Sequence, residues 1–276
     1  MDKQIGIIGV GNMGKMLIQT FITQNRLNAS QIWITNRSSN KAIAIQNIYP
    51  QVHWVQTVEE IGKHCDLIFL CAKPIQIIQI AKKIAPILNK NQIVISITSS
   101  ISVTDLEAIV PAQTARIVPS ILNQTQKGNS LFTFGNRCST ETKAELKKLF
   151  EQISIPLEVT DNKIRAASDL VSCGPAFIGR ILEWMCEGAQ QATPLSKEEA
   201  EKMITETIIG LGALLEKGDF TLPKLIEKVC VKGGITGEGL AVIDREIGQL
   251  FPHLFYVTEK KFQLDKTEIK NLLTYK

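Results

Sequence analysis

Histidine is scarce in this chain, with three in 276 residues (His53, His64 and His253), and they are scattered along the sequence. The six cysteines, at 65, 71, 138, 173, 186 and 230, form no CxxC pair and none stands at metal-ligand spacing from a histidine. That pattern excludes the common zinc frameworks and predicts free thiols in a reducing compartment. Charge of one sign is lacking too: 31 basic residues face 27 acidic ones, and the net charge of +4 is spread along the chain. With no basic run there is no arm or groove for nucleic acid. No apolar stretch approaches the roughly 18 residues that cross a bilayer. The opening MDKQIGIIGVGNMGK carries an acid at position 2 and is interrupted by glycines, so it does not read as a secretory leader. The expectation is a cytoplasmic protein with no membrane and no nucleic-acid partner and no metal.

What is present is a regular alternation. Residues 4–9, 31–35, 52–55, 66–71, 92–97 and 114–118 are short runs rich in Ile and Val, without polar alternation. Strands buried on both faces of a parallel sheet have this composition. Helical patterns at 12–24, 39–48, 57–64 and 75–88 separate them, which predicts βαβ units. After strand-like 130–134, a helix and strand-like 156–159, the pattern changes, and from about Asn162 onward no strand is expected. Gly174-Pro175 interrupts a long apolar helical stretch and predicts a kink or break, because proline lacks a donor and clashes one turn back. Ser196 with Glu199 reads as a capping box, and Gly218 as the stop of the same helix. The predicted class is α/β, with a mostly parallel N-terminal Rossmann domain over 1–160 and an all-helical domain over 161–276.

IIGVGNMGKML places Gly9, Gly11 and Gly14 in G-x-G-x-x-G spacing, with Asn12 and Met13 between them, after a strand and at the start of a helix. There the glycines permit a tight turn, close approach to a pyrophosphate and close helix–strand packing. About twenty residues beyond Gly14, where NAD enzymes hold the ribose with an acid, this chain has Asn36, Arg37 and Ser38. An unopposed guanidinium with two neutral donors suits a 2′-phosphate, so NADPH is expected over NADH. The strand ends at Cys71, Ala72, Lys73 and Pro74, at Ser96, Thr98 and Ser99, and at Val118, Pro119 and Ser120 are expected to face the cofactor. Lys73 reads either as a surface lysine or as a residue that positions the nicotinamide or its ribose. No Ser-His-Asp set and no carboxylate pair is visible. Hydride transfer to a protonated imine needs neither, because the substrate already carries the charge that draws hydride. Near the C-terminus KVCVKGGITGEGL has four glycines between 233 and 239, flanked by helical patterns. It lacks the order of a phosphate loop and reads as a nest of amides able to hold a carboxylate.

IGIIGVGNMG, CAKP, SCGPAF and VKGGIT occur in an order that resembles pyrroline-5-carboxylate reductase over nearly the whole chain. ASDLVSCGPAF and KVCVKGGITGEG look closer still to the ComER-type, reductase-like proteins of the late competence locus. The resemblance implies a Rossmann domain and a helical dimerisation domain that intertwines with a second copy. It further implies reduction of a cyclic imino acid to proline, with the substrate pocket between one subunit's nicotinamide and its partner's helical domain. The family's helix motif falls on Ser172 to Phe177, bringing in Ser172 and Cys173. Its glycine loop falls on Val231 to Thr236, so Lys232, Gly233, Gly234 and Ile235 would hold the carboxylate and Thr236 would meet the ring nitrogen. Departures from the family pattern are Val231 and Lys232 for Ser-Pro, Cys173 for a serine, Phe177 for a tyrosine, Ser120 for an amide side chain, and Ser99-Ser100 for Ala-Gly. They motivate a second reading, a cofactor-binding protein of competence or sporulation with little turnover.

Overall fold

The computed structural model describes residues 3–274. The chain divides into two compact units, Met1–Pro175 with Val257–Lys276, and Ala176–Tyr256.

In the first unit the expected alternation is present. It runs β1 (Ile5–Ile8), α1 (Asn12–Thr23), β2 (Ile32–Thr35), α2 (Ser39–Ile48), β3 (His53–Trp54), α3 (Val58–His64), β4 (Leu67–Leu70), α4 (Pro74–Ile84) and β5 (Ile93–Ser96). It continues through α5 (Val103–Glu107), β6 (Gln113–Val118), β7 (Asn129–Phe134), α6 (Thr140–Phe150) and β8 (Ile155–Glu158). The strands form one sheet in the order β3-β2-β1-β4-β5-β6-β7-β8. Neighbours are parallel except β6 and β7. The order reverses between β1 and β4, which sets the loops after these two strands side by side at the carboxyl edge, where open α/β sheets bind ligands.

Both faces of the central strands are buried, and this is why β4 (LIFL) and β5 (IVIS) are apolar almost throughout. Along β4, Leu67 and Phe69 enter one core while Ile68 and Leu70 enter the other. Phe150 of α6 stands edge-on to Phe21 and to Phe132, with ring centroids 5.6 and 5.4 Å apart. Truncating a ring so placed costs about 3–5 kcal/mol. The chain's last segment returns to this unit. From the helix α12 described below, Ile269 is buried in one of the two cores and Phe262 in a third small cluster with Val118, Leu131 and Ile164.

After the sheet, α7 (Ile164–Ser168) runs into one wide π-type turn (Asp169–Cys173) and then α8 (Gly174–Ala192). The irregularity expected at Gly174-Pro175 thus lies one turn earlier, as a change of winding. Pro175 cannot donate to the carbonyl four residues back and would clash with it in a regular helix; the wider turn separates them. That carbonyl, of Val171, instead accepts from the Ser120 hydroxyl at 2.8 Å. Ser120 is fully buried. The expectation that it faces the cofactor is therefore corrected, because its hydroxyl serves the group that the proline leaves open.

The second unit holds most of α8, with α9 (Lys197–Glu216), α10 (Leu222–Val229), α11 (Ile235–Ile247) and the start of α12 (Leu250–Thr274). Among the described residues no strand follows Glu158. The capping box forms, with the Glu199 amide donating to the Ser196 hydroxyl at 3.2 Å and the Ser196 amide to the Glu199 carboxylate at 2.9 Å. Gly218, at φ +77°, stops α9 as expected. Hardly any apolar side chain of this unit is buried, while Ile178, Met185, Ile209, Leu222 and Val229 are each more than half exposed. No described helix is long and apolar enough to cross a membrane.

Candidate functional site

The loop between β1 and α1 is built by close packing that only glycine permits. Gly9 adopts φ +103°, and a Cβ there would stand 2.3 Å from the Cys71 carbonyl oxygen at the end of β4. A Cβ on Gly14 would stand 2.1 Å from the Gly9 carbonyl oxygen. Gly11 differs, for nothing of the protein lies within 4 Å of its missing Cβ. Gly11 caps α1, whose first turn has no side-chain cap and no acid. Its amides and dipole are therefore free for an anion. The loop is held from β2, with the Gly9 amide donating to the Thr35 carbonyl and the Val10 amide to Asn36 Oδ1, both at 2.9 Å. Asn36 Nδ2 donates to the Ser38 carbonyl at 2.9 Å. Its amide thus shapes the loop, which leaves Arg37 and Ser38 as the exposed polar side chains there. Across the switch point, exposed Lys73 caps α4 with Pro74 as its first residue. An open, acid-free helix start beside an unopposed arginine fits a dinucleotide with an extra phosphate.

A cleft of about 470 Å³ opens in the first unit beyond the ends of β4 and β5. Pro74 and Thr98, Ser99 and Ser100 line it from the strand ends, and Arg165, Asp169, Cys173, Thr258 and Lys261 from the helices. Asp169 is almost fully buried, yet both of its oxygens are satisfied. Arg165 Nη2 donates to Oδ1 and the Thr258 hydroxyl to Oδ2, each at 2.7 Å. The same guanidinium reaches Ser99 Oγ at 2.9 Å through Nη1 and Cys173 Sγ at 3.5 Å through Nη2. Cys173, expected either as a packed residue or as a pocket thiol, therefore lines the cleft, half-buried. The Ser172 hydroxyl donates to the Pro119 carbonyl at 3.0 Å.

Below the cleft lies Arg116 of β6, fully buried. It donates to the carbonyls of Ser99 at 3.2 Å and Ile101 at 3.4 Å, to the Thr133 hydroxyl at 2.8 Å, and pairs with Asp161. Burial pulls its pKa below the ordinary arginine value, and Asp161 opposes that. Arg116 fixes the backbone of the loop whose side chains line the cleft. Neither Arg116 nor the Arg165–Asp169 pair was singled out from sequence. An Arg and an Asp four residues apart read as an exposed helix pair, and their partners Ser99 and Thr258 are 66 and 89 residues away.

In the second unit the glycine loop opens α11. Gly233 has φ +74°, and Gly234 caps the helix without a side-chain bond. The Gly234 amide donates to the Val231 carbonyl at 2.9 Å, so it closes the turn and is not free. Ile235 and Thr236 are the first residues of α11, and their amides have no acceptor within the helix. Val231, Lys232 and Ile235 are exposed, Ile235 at 92%.

A doubly wound sheet with a glycine loop at its switch point and a helical second unit defines an oxidoreductase of the Rossmann class. The model of NADP oxidoreductase, coenzyme F420-dependent, matches residues 4–100, and that of pyrroline-5-carboxylate reductase dimerisation matches 161–260. The chain is 40% identical to ComE operon protein 4 of Bacillus subtilis over 267 residues, covering 97% of this chain and 98% of that one. It is 30% identical to pyrroline-5-carboxylate reductase 3 of the same organism, covering 95% and 96%. The pyrroline carboxylate reductase of Plasmodium falciparum, solved with NADP bound, has the same fold, with a TM-score of 0.82 at 20% identity and 96% and 98% coverage. This chain belongs to the pyrroline-5-carboxylate reductase family.

Proposed function

We propose that the chain reduces 1-pyrroline-5-carboxylate, or a close cyclic imino acid, to the corresponding proline with NADPH. The observation that carries this reading is the β1–α1 loop, an open anion site beside Arg37 with no acid to exclude a 2′-phosphate, in a chain of this family. Gly9, Gly11, Asn12, Met13 and Gly14 receive the pyrophosphate. Arg37 and Ser38 receive the 2′-phosphate on a loop braced by Asn36. Ala72, Lys73 and Pro74 border the nicotinamide. NADPH, when bound, supplies the hydride to the imine carbon, while the C=N pair passes to a nitrogen that is already protonated. The chain's own contribution is positioning and charge. The exposed loop from Lys232 to Thr236 takes the substrate carboxylate through Lys232 and the open amides of Ile235 and Thr236, with Gly233 and Gly234 shaping the turn, and the Thr236 hydroxyl meets the ring nitrogen. In the first unit, Ser172 and Cys173 are assigned to substrate contact.

The helical domain, from about residue 161, pairs with a second copy. The support is the match to a dimerisation model over a unit whose apolar side chains stay exposed. Purified protein given NADPH and pyrroline-5-carboxylate should consume the cofactor and form proline; no consumption rejects the reading. A second reading, a cofactor-binding protein of competence with little turnover, is favoured by the 40% identity to ComE operon protein 4. Rescue of a proline auxotroph at native expression would argue against it.

A further inference from the structure

The order of the strands sets the direction in which a dinucleotide lies. Arg37 follows β2 and the open start of α1 follows β1, while β4 and β5 succeed β1 on its other side. A cofactor with its 2′-phosphate at Arg37 and its pyrophosphate at α1 therefore carries its nicotinamide over the ends of β4 and β5. From β2 to β5 is three strand spacings, about 14 Å. The loop after β5 lines the cleft with Thr98, Ser99 and Ser100. Its own bonds are short in range, the Thr98 amide donating to Ser96 Oγ and the Ser100 amide to Thr98 Oγ, both at 3.3 Å. Arg116 ties it to the sheet. Nη1 donates to the carbonyls of Ser99 at 3.2 Å and Ile101 at 3.4 Å, which holds both toward β6. Nη2 is anchored on the far side by Asp161 and by the Thr133 hydroxyl, which itself donates to the Val159 carbonyl at 2.9 Å. A buried ion pair is weak evidence of a stabilising role, because well-packed apolar replacements are often neutral or better. Two buried carbonyls that would otherwise lack donors are a more specific reason for an arginine here.

We propose that Arg116 is a positioning residue for the nicotinamide half of the cofactor, acting through the backbone of Thr98 to Ile101 without touching the cofactor itself. The adenine half, over β2 and β1, lies outside its reach. The inference rests on the reductase reading for the identity of the cofactor, and every contact it uses lies within the first unit.

The test titrates the full-length protein by calorimetry with NADPH and with 2′,5′-ADP, which keeps the adenine, ribose and 2′-phosphate but has no nicotinamide. Arg116→Met should raise the Kd for NADPH at least about tenfold and leave that for 2′,5′-ADP within about twofold. Arg116→Lys, which keeps the charge but has a single donor head, should fall between the wild type and Arg116→Met. Thr133→Val leaves the arginine in place and removes one of its anchors, so it should weaken NADPH by about threefold and spare 2′,5′-ADP. Should Arg116→Met fail to fold, these two milder variants decide the matter. Equal weakening of both probes would mean a general structural role and overturns the proposal, as does unchanged NADPH binding. A parallel assay of NADPH consumption with pyrroline-5-carboxylate separates the two claims. No turnover alongside an NADPH-selective loss would reject the reductase reading and leave the positioning role standing; turnover with no selective loss would do the reverse.

Discussion

The hydroxyl of Thr258 donates to Asp169 Oδ2 at 2.7 Å, tying the wide turn before α8 to the returning part of α12 across 89 residues of sequence. Arg165, four residues earlier, takes the other oxygen, so a buried carboxylate is satisfied only while two segments distant in sequence are in place. Removing one partner of a buried charge pair leaves the other uncompensated and costs about 3–5 kcal/mol. Asp169→Ala should therefore lose stability in that range by denaturant unfolding. Thr258→Val, which removes one neutral donor, should lose about 1–2 kcal/mol.

The glycines of the phosphate loop should separate folding from binding. Gly9→Ala must adopt φ +103° with its Cβ against the Cys71 carbonyl, and Gly14→Ala meets the Gly9 carbonyl. Both should lower the melting temperature and abolish NADPH binding. Gly11→Ala meets no protein atom. It should melt close to the wild type yet bind NADPH at least about tenfold more weakly, because the added methyl lies where backbone must approach pyrophosphate. A Gly11→Ala protein that binds normally would remove the loop from the cofactor site.

Arg37 is expected to select the phosphorylated cofactor. Arg37→Ala should raise the Kd for NADPH by about tenfold or more and leave the Kd for NADH within about twofold, read by fluorescence titration. An equal loss for both cofactors would contradict the role.

Burial sets the thiols apart. Cys65 and Cys71 are buried, and desolvation pushes both thiols far above the ordinary cysteine value; burial raises Cys138 as well. These three, with buried Cys186, should react with an aromatic disulfide reagent only on unfolding, whereas half-buried Cys173 and Cys230 react in the native protein. The pH dependence follows in sign. Below the unfolded thiol pKa of about 8.5 both states hold the proton and the full stability is present. Above it only the unfolded chain ionises, so each such thiol should remove about 1.4 kcal/mol per pH unit. Cys71→Ala should reduce that slope in denaturant titrations at rising pH.

Much of the first unit was legible because its physics is local and periodic. Strand runs such as DLIFLC and QIVISI are apolar throughout since two cores face them, and β4 and β5 fall inside those runs. Ser196 and Glu199 announce their helix start three residues apart. The tight β1–α1 turn was readable for the same reason, its three glycines falling within six residues. The cleft was not, because its contacts are non-local. Nothing in Arg116 distinguishes a buried clamp from a polar strand residue until β5, β7 and Asp161 surround it. Ser120 looked like a strand-end residue open to ligand, and only the three-dimensional neighbour of Pro175 shows what its hydroxyl does. The glycine loop of α11 was readable as a chain of amides, but the one that closes the turn, Gly234, is visible only in the folded backbone.

The most direct measurement of the central claim is hydride transfer itself. Protein supplied with NADPH deuterated at nicotinamide C4 and with pyrroline-5-carboxylate should yield proline carrying one deuterium on the ring carbon that was the imine carbon, read by mass spectrometry. The label should vanish from the cofactor in equal amount. Intact labelled NADPH with unreacted imine, at a protein concentration where cofactor binding is saturated, would contradict the account.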